Sequence, residues 1–339
     1  MKILNVAIVG CGRISEVYRS IFKELKEEIN VVYAVDTDIA KAENFAKDFS
    51  GCIALQDYRE ALQENIDVLH LATPHYIHKE MAVEAMKKGI NVLTEKPMAI
   101  SLIDADEMIN TSEREAIKLG VIFQTRYVKG CREIKRLIEE GRLGKLVSAR
   151  SYLSWKRDAS YYQGSDWKGT WDKEGGGVLI DQAIHSIDRM QWLIGSKAKW
   201  VEGSVHNRNH PEVKVEDTAE ALIGFESGCT YHLYATNCYS YDAPVELEIV
   251  GEKGRAGLKQ DLAWVELMDE PYYEIKDGYD GLKVGPGYWG SSHITQVKEF
   301  YNSVRGAGDH EIDGYEGRKA LELVLSIYEA SAKKERVYI

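Results

Sequence analysis

The sequence predicts an α/β fold of two domains, and three observations support it. The 339 residues exceed the roughly 250 to 300 at which a single hydrophobic core usually stops growing. Up to about residue 123, short β-branched runs alternate with helix-period segments, which is the βαβ rhythm of a doubly wound parallel sheet. Beyond that point long strand patterns dominate and indicate an α+β domain with a large, mostly antiparallel sheet. We therefore predict domains at residues 1–123 and 124–339.

The elements of the first domain follow from their residue patterns. Strands are predicted at residues 3–9, 31–35, 67–72, 91–94 and 121–124. Helices are predicted between them, at residues 14–27, 38–48, 77–88 and 103–118. Asp38 and Ser101 suit helix starts, whereas Gly89 and Gly120 fit as C-terminal stops.

The second domain shows fewer helices and longer strands. Strands are predicted at residues 147–156, 199–206, 218–225, 230–237 and 245–250. Helices are predicted at residues 133–140, 292–304 and 315–334.

Composition excludes several classes of protein. The formal charge of −11 would repel a polyanion, so nucleic acid is not an expected partner. No run of ~18 apolar residues occurs, so no membrane span is expected. The five cysteines are widely spaced and contain no C-x-x-C pair, which is typical of reduced thiols in a cytoplasmic protein.

A glycine-rich turn follows the first predicted strand. Its sequence is Gly-Cys-Gly-Arg-Ile-Ser from Gly10 to Ser15, and it opens a helix. Gly10 would permit the tight turn, and Gly12 would let backbone N–H groups approach a pyrophosphate at the positive helix end. Arg13 and Ile14 belong to the same predicted cofactor site. A glycine turn without a ligand is the alternative. The context favours a Rossmann dinucleotide-binding domain.

Asp36 ends the second predicted strand, about 20 residues beyond the glycine turn. An acidic side chain there accepts hydrogen bonds from the ribose hydroxyls of NAD and repels the 2′-phosphate of NADP. NAD is therefore the predicted cofactor, with NADP less favoured. The alternative is a solvated aspartate that caps the next helix, a role open also to Thr37 or Asp38.

Two later strands end in polar signatures. Thr73-Pro74-His75 follows one, and Glu95-Lys96-Pro97 follows the next. In a parallel sheet the carboxyl ends of all strands lie at one edge, where ligands bind. These segments are therefore expected to converge with the glycine turn and Asp36 on one crevice.

Oxidation of a secondary alcohol needs a base for the hydroxyl proton and a cation for the developing alkoxide. Lys96 can supply the cation, although a lysine is more often a solvated surface residue. Asp181 and His185 stand four residues apart after a glycine run at residues 175–177, and histidine suits proton exchange near neutrality. A helix cap with a packed histidine is the alternative. The pair lacks an evident third ligand, so no metal is predicted.

An aromatic cluster precedes that motif and suits the apolar face of a sugar ring. It comprises Trp155, Tyr161, Tyr162, Trp167 and Trp171, interleaved with Arg157, Asp166 and Lys168. A core or a subunit interface would explain it equally well.

Together these motifs resemble the Gfo/Idh/MocA family, which includes glucose-fructose oxidoreductase and inositol dehydrogenase. The resemblance rests on the glycine turn, Ala72-Thr73-Pro74 with His78, Glu95-Lys96-Pro97 and the glycine-led Asp181-x-x-x-His185 motif. It implies catalytic roles for Lys96, Asp181 and His185, and an open C-terminal sheet that joins subunits into a homodimer or homotetramer. The chain departs from the family at His75, where asparagine is common, and at Lys168, where arginine is common.

The predicted sites combine these observations. The cofactor set comprises Gly10, Gly12, Arg13, Ile14, Asp36, Thr73, Pro74, His75, His78, Glu95 and Lys96. The substrate set comprises Lys96, Arg126, Trp155, Arg157, Tyr162, Trp167, Asp181 and His185. The expected activity is NAD(P)-dependent oxidation of a hydroxyl on a pyranose, glycoside or nucleotide-linked sugar. An inositol dehydrogenase and a non-catalytic NAD(P)-binding regulator are the alternatives.

Overall fold

The computed structural model describes residues 2–63, 65–260, 262–276 and 292–339. The strands are β1 Leu4–Val9, β2 Ile29–Val35, β3 Ile53–Leu55, β4 Val68–Leu71, β5 Asn91–Thr94, β6 Leu119–Val121, β7 Leu146–Ser154, β8 Ala198–His206, β9 Thr218–Phe225, β10 Thr230–Thr236, β11 Glu246–Gly251, β12 Gly254–Lys259, β13 Leu262–Leu267, β14 Tyr273–Lys276 and β15 Val337–Tyr338. The α-helices are α1 Ser15–Glu24, α2 Ile39–Ala46, α3 His78–Met86, α4 Leu102–Arg114, α5 Lys129–Glu139, α6 Ala159–Tyr162, α7 Ile184–Ile194, α8 His293–Val304 and α9 Gly314–Lys333.

The chain divides into two compact units. The first comprises Met1–Gln124 and Tyr279–Arg318, and the second comprises Thr125–Gly278 and Lys319–Ile339. The first boundary lies one residue beyond the predicted division at residue 123, and the first unit also takes in a later part of the chain. The described residues 292–318 group with the first unit because Val297, Phe300 and Tyr301 of α8 join its apolar core.

Within the described residues, the first unit holds a sheet of six strands in the order β3-β2-β1-β4-β5-β6. All of its strand pairs are parallel. This is the strand order of the dinucleotide-binding Rossmann fold, and the order reverses between β1 and β4, where such folds bind their ligand. The predicted doubly wound fold is confirmed.

Local corrections concern element ends. Asp38 and Ser101 do cap α2 and α4, since their side chains accept backbone N–H bonds from Ala40 and Asp104. Gly120 does not stop α4, which ends at Arg114, but lies inside β6. Leu93 and Phe300 leave no room for a side chain at this position. The short strand β3 was not predicted.

The second unit holds a sheet of nine strands among the described residues, in the order β14-β13-β12-β11-β7-β10-β9-β8-β15. Every pair is antiparallel except β7 with β10, so the predicted mostly antiparallel sheet is confirmed. Helices α5 and α7 both contact this sheet. No helix in the described part of the chain is long and apolar enough to cross a membrane.

Candidate active site

The two glycines of the turn differ: the fold requires Gly10 but does not require Gly12. Gly10 has a φ of +94°, and a side chain there would collide with the Ala72 carbonyl at the end of β4. Gly12 is exposed, and no heavy atom of the described residues lies within 4 Å of the position that its side chain would take. The buried Ser15 hydroxyl donates a 2.6 Å hydrogen bond to the Gly12 carbonyl and closes the turn. Space beside Gly12 fits a ligand that approaches the backbone at the start of α1.

Asp36 lies beside this turn at the carboxyl end of β2. One of its oxygens accepts the Cys11 N–H at 2.9 Å, and the other accepts the Asp38 N–H at 2.9 Å. Asp38 itself caps α2. The capping role proposed as the alternative for Asp36 is therefore filled by Asp38, while Asp36 orders the turn and remains partly exposed.

The turns after β4 and β5 are joined by a buried histidine. The two ring nitrogens of His78 lie 2.9 Å from the carbonyl oxygens of Thr73 and Pro97. His78 and His75 are almost fully buried, whereas Thr73 and Pro74 are partly exposed. The predicted contacts of His75 and His78 with the cofactor stay predictions. His78 supports the two turns.

Lys96 is presented at the carboxyl edge of β5. It is partly exposed, whereas all its neighbours from residue 92 to residue 99 are buried. Glu95 points inward and accepts a 2.8 Å hydrogen bond from the Tyr18 hydroxyl, and burial raises its pKa. Glu95 therefore supports this edge from within, and its predicted contact with the cofactor stays a prediction.

In the second unit a buried glutamate holds the glycine run. Glu216 accepts N–H bonds from Gly177 at 2.8 Å and Leu179 at 3.0 Å, and the Tyr328 hydroxyl at 2.8 Å. Burial raises the pKa of Glu216 to about 7. A side chain at Gly176 would collide with Tyr328. Sequence reasoning missed Glu216 and Tyr328, because they lie far along the chain from the run that they support.

The glycine run leads into helical turns that expose two polar side chains. Asp181 lies in a π-helical segment, Leu179–Ala183, and His185 lies in the first turn of α7. Both are partly exposed, whereas every other residue from 174 to 190 is buried. His185 is therefore partly exposed as a residue, although its Nδ1 atom is buried.

A polar network fixes Asp181. One carboxylate oxygen accepts bonds from the Tyr161 hydroxyl at 2.6 Å, Lys168 Nζ at 2.9 Å and Gln182 Nε2 at 2.7 Å. Lys168 also donates to the Tyr161 hydroxyl at 2.8 Å and lies 3.7 Å from Glu174. Burial alone would lower the pKa of Lys168, but the Asp181 charge offsets it and the pKa is raised. Lys168 therefore stays an ammonium ion beside a carboxylate.

The predicted aromatic cluster divides into buried and accessible members. Trp155, Arg157 and Tyr162 are buried: the Trp155 indole donates to the Ala243 carbonyl at 3.1 Å, and Arg157 pairs with Asp242 at 2.9 Å. These contacts give the three residues packing roles, and their substrate contacts stay a prediction. Trp167, 4.8 Å from Lys168 Nζ, remains partly exposed.

Arg126 was also predicted to contact substrate. Its side chain is 2% exposed and binds Asp188 of α7 through two hydrogen bonds, at 2.6 and 2.9 Å. It therefore holds the core of the second unit together. Tyr161, which the predicted set omitted in favour of Tyr162, contacts Asp181 directly. Because Tyr161 and Tyr162 are neighbours, their side chains are expected to point in different directions. That expectation does not tell which of the two faces inward.

The strand order, the glycine turn and Asp36 define a dinucleotide-binding oxidoreductase fold. Comparisons with known proteins give the family. Residues 4–123 match the oxidoreductase family model with an NAD-binding Rossmann fold, and residues 131–257 match the GFO/IDH/MocA C-terminal domain. The chain belongs to the GFO/IDH/MocA family of oxidoreductases, and its first unit is an NAD-binding Rossmann domain.

Named relatives include sugar and polyol dehydrogenases. Glucose-6-phosphate 3-dehydrogenase of Bacillus subtilis is 30% identical over 261 residues, 74% of this chain and 72% of the relative. Myo-inositol 2-dehydrogenase of Thermotoga maritima is 21% identical over 98% of both chains. The structure of the WlbA dehydrogenase from Bordetella pertussis, a complex with NADH and UDP-GlcNAcA, superposes with a TM-score of 0.86 at 26% identity, covering 100% of this chain and 99% of that one.

Gly12→Ala should affect NAD binding, whereas Gly10→Ala should affect the stability of the fold. We expect Gly12→Ala to fold normally and to weaken NAD binding at least ~10-fold, because the methyl group occupies the space that a pyrophosphate needs. Gly10→Ala should lower the free energy of unfolding by about 1–3 kcal/mol or more, owing to its positive φ and the collision with Ala72. Calorimetric NAD titration and thermal unfolding measure the two effects. Unchanged NAD affinity in a folded Gly12→Ala variant would contradict the assignment.

Asp36→Ala should narrow the preference for NAD over NADP. Removing the carboxylate removes both the ribose acceptor and the charge that repels a 2′-phosphate. Asp36→Asn is the comparison for charge, since it keeps the shape of the side chain without its charge and retains an acceptor for only one of the two N–H bonds that Asp36 accepts. The ratio of the Kd values for NAD and NADP is the measurement. An unchanged ratio in both variants would remove Asp36 from cofactor selection.

Proposed function

We propose that this protein is an NAD-dependent dehydrogenase that oxidises one secondary hydroxyl of a pyranose, glycoside or nucleotide-linked sugar. The observation that carries the proposal is the pair Asp181 and His185, which are partly exposed within an otherwise buried helical stretch. Lys168 and Tyr161 anchor Asp181. The names of its relatives, which include a glucose-6-phosphate 3-dehydrogenase and a UDP-GlcNAcA complex, support a sugar substrate.

Each residue has a stated role in the proposal. His185 accepts the proton of the reacting hydroxyl, and Asp181 binds substrate hydroxyls and orients the imidazole. The Lys96 ammonium stabilises the developing alkoxide. Gly10, Gly12 and Asp36 hold NAD, which supplies a hydride acceptor when it is bound. Trp167 offers an aromatic face to the sugar ring.

Turnover tests the activity. NAD reduction is followed by absorbance across a panel of sugars, sugar phosphates, glycosides, nucleotide sugars and inositols. Turnover of any sugar supports the proposal. Turnover of inositols alone would favour the second candidate, an inositol dehydrogenase, which the relative from Thermotoga maritima supports. Tight NAD binding without turnover of any member would favour a redox-sensing regulator and overturn the proposal.

Lys96→Ala should lower kcat by about 10²-fold, because the alkoxide loses its positive partner. NAD affinity should change little. Lys118→Ala is the control, since Lys118 is a surface lysine of the same unit that pairs with the exposed Asp309 at 2.8 Å. Steady-state kinetics and NAD titration measure both. Equal rates in the two variants would leave Lys96 without a catalytic role.

We also propose a homodimer or homotetramer formed through the second sheet. Across four neighbouring strands, one face carries the paired positions Arg150, Glu248, Gly257 and Trp264, and Tyr152 follows at the next outward position of β7. Tyr152 is 41% exposed. A face that mixes aromatic rings with both charge signs suits self-association. Light scattering on wild type and on Tyr152→Glu tests it, and a monomeric wild type would overturn it.

We propose a cytoplasmic location because the cysteines are free thiols. All five lie in the described residues, and none forms a disulfide. Reduced thiols are usual where glutathione and thioredoxin act.

A further inference from the structure

A second cluster of metal-binding side chains lies in the second unit, formed by His210, Asp217 and Cys238. His210 lies in the loop between β8 and β9, Asp217 directly precedes β9, and Cys238 follows β10. One ligand atom from each residue lies within 4.8 Å of the other two. The side chains of His210 and Asp217 are 4% and 0% exposed, whereas Cys238 is partly exposed.

The imidazole of His210 is oriented for metal binding. Its Nε2 lies 2.6 Å from the Arg157 carbonyl oxygen, so that nitrogen carries the hydrogen and donates it. Metal-bound histidines typically give their second N–H to a carbonyl or carboxylate in this way. The other nitrogen, Nδ1, then faces Asp217 Oδ2 at 2.9 Å and Cys238 Sγ at 3.9 Å.

Three electron-rich atoms therefore face one another in a buried space. Asp217 is held in place because its carboxylate accepts N–H bonds from Arg208 and Asn209, at 2.9 and 2.8 Å. A positive charge between Nδ1 and Oδ2 is needed, and either a proton or a metal ion can supply it. A sulfur atom as the third member favours a metal of the zinc class.

Distances and charge fit such an ion. Around tetrahedral Zn²⁺, nitrogen, oxygen and sulfur ligands lie about 3.4–3.6 Å apart. The imidazole would move away from Asp217 by about 0.5 Å, and the nitrogen-to-sulfur distance would shorten slightly. A neutral imidazole, a carboxylate and a thiolate balance the two positive charges, so the buried site carries no net charge. The thiol proton leaves to solvent as the metal–sulfur bond forms.

We propose that His210, Asp217 and Cys238 bind one Zn²⁺ or similar divalent transition metal, with water in the fourth position. The sequence did not predict a metal, since these residues are dispersed over 29 positions without a motif. The Tyr162 ring packs on His210 at 5.4 Å between centroids, and the adjacent Tyr161 binds Asp181. The metal would therefore stiffen the segment that anchors Asp181. It does not depend on the proposed reaction.

Cobalt substitution tests the site. The full chain is freed of metal with a chelator and titrated with Co²⁺ or Zn²⁺. We expect one equivalent of metal per chain and a sulfur-to-cobalt charge-transfer band that Cys238→Ser abolishes. His185→Ala should keep the band, which separates this site from the Asp181 and His185 pair. Cys229→Ser, at a buried cysteine outside the cluster, is the matched control and should also keep it.

Thiol labelling gives a second measurement on wild type, in case Cys238→Ser fails to fold. Zn²⁺ should protect Cys238 from alkylation at least ~10-fold, since a metal-bound thiolate is less available. The partly exposed Cys52 should react equally with and without the metal. Absence of the band in wild type, its survival in folded Cys238→Ser, or unchanged alkylation of Cys238 would overturn the proposal. The cluster would then be an imidazolium–carboxylate pair.

Discussion

His185→Ala is expected to lower kcat by about 10²-fold or more while the Kd for NAD stays within about twofold. The imidazole is the proposed proton acceptor, and general bases contribute rate factors of this size. Its side chain is partly exposed in a stretch where all neighbours except Asp181 are buried, so its removal should cost little stability. Steady-state kinetics on the best substrate of the panel and NAD titration provide the two measurements.

Imidazole rescue distinguishes a base from a packing residue. Free imidazole enters the space that the alanine leaves and should restore part of kcat in His185→Ala, without affecting wild type. His206→Ala removes an exposed histidine of the same unit and serves as the control. A wild-type rate in His185→Ala would refute the assignment. A rate that falls but never responds to imidazole, together with a lower melting temperature, would make the residue structural.

Lys168→Met is expected to lower both stability and kcat. The substitution leaves the Asp181 carboxylate without its cation, which lies 2.9 Å from Asp181 and 3.7 Å from Glu174. The free energy of unfolding should fall by about 2–4 kcal/mol, because loss of one partner strands the buried charge of the other. The kcat should fall about 10-fold, since Asp181 loses a fixed position and a fixed charge. Chemical denaturation and steady-state kinetics measure the two losses.

A second lysine of the same segment offers the comparison. Lys173 pairs with Asp166 at 2.8 Å, but the Asp166 side chain is 83% exposed. Lys173→Met should therefore change stability by no more than about 1 kcal/mol. Lys168→Arg restores the charge and should recover most of kcat, which a purely structural defect would not predict. Similar losses in Lys168→Met and Lys173→Met would contradict the special role of Lys168.

The first unit was the more predictable half. Its strands β1, β2, β4 and β5 are mostly buried and rich in apolar residues, so they are visible in the sequence. The strands that went unpredicted in the second unit are β12, β13, β14 and β15. The first of these, from Gly254 to Lys259, contains two glycines and is a strand only because it pairs with β11 and β13.

The predicted site residues differ in burial. The residues that stand out by motif and remain accessible are Gly12, Asp36, Lys96, Asp181 and His185. His75, His78, Glu95 and Arg126 also stand out, yet they are buried and support the turns or core around them. A motif indicates which residues lie near a site. It does not distinguish residues that contact a ligand from residues that support the surrounding turns.

The sequence by itself determined the doubly wound first sheet, the glycine turn after β1 and the glycine-led motif of Asp181 and His185. These depend on neighbours along the chain, since strand patterns, turn residues and helix spacing are local. Tertiary structure alone decided that Tyr161 and Lys168 anchor Asp181, that Glu216 holds the glycine run and that His210, Asp217 and Cys238 meet. Those contacts join segments up to dozens of residues apart, and only packing of the sheet and its loops determines which side chains face one another.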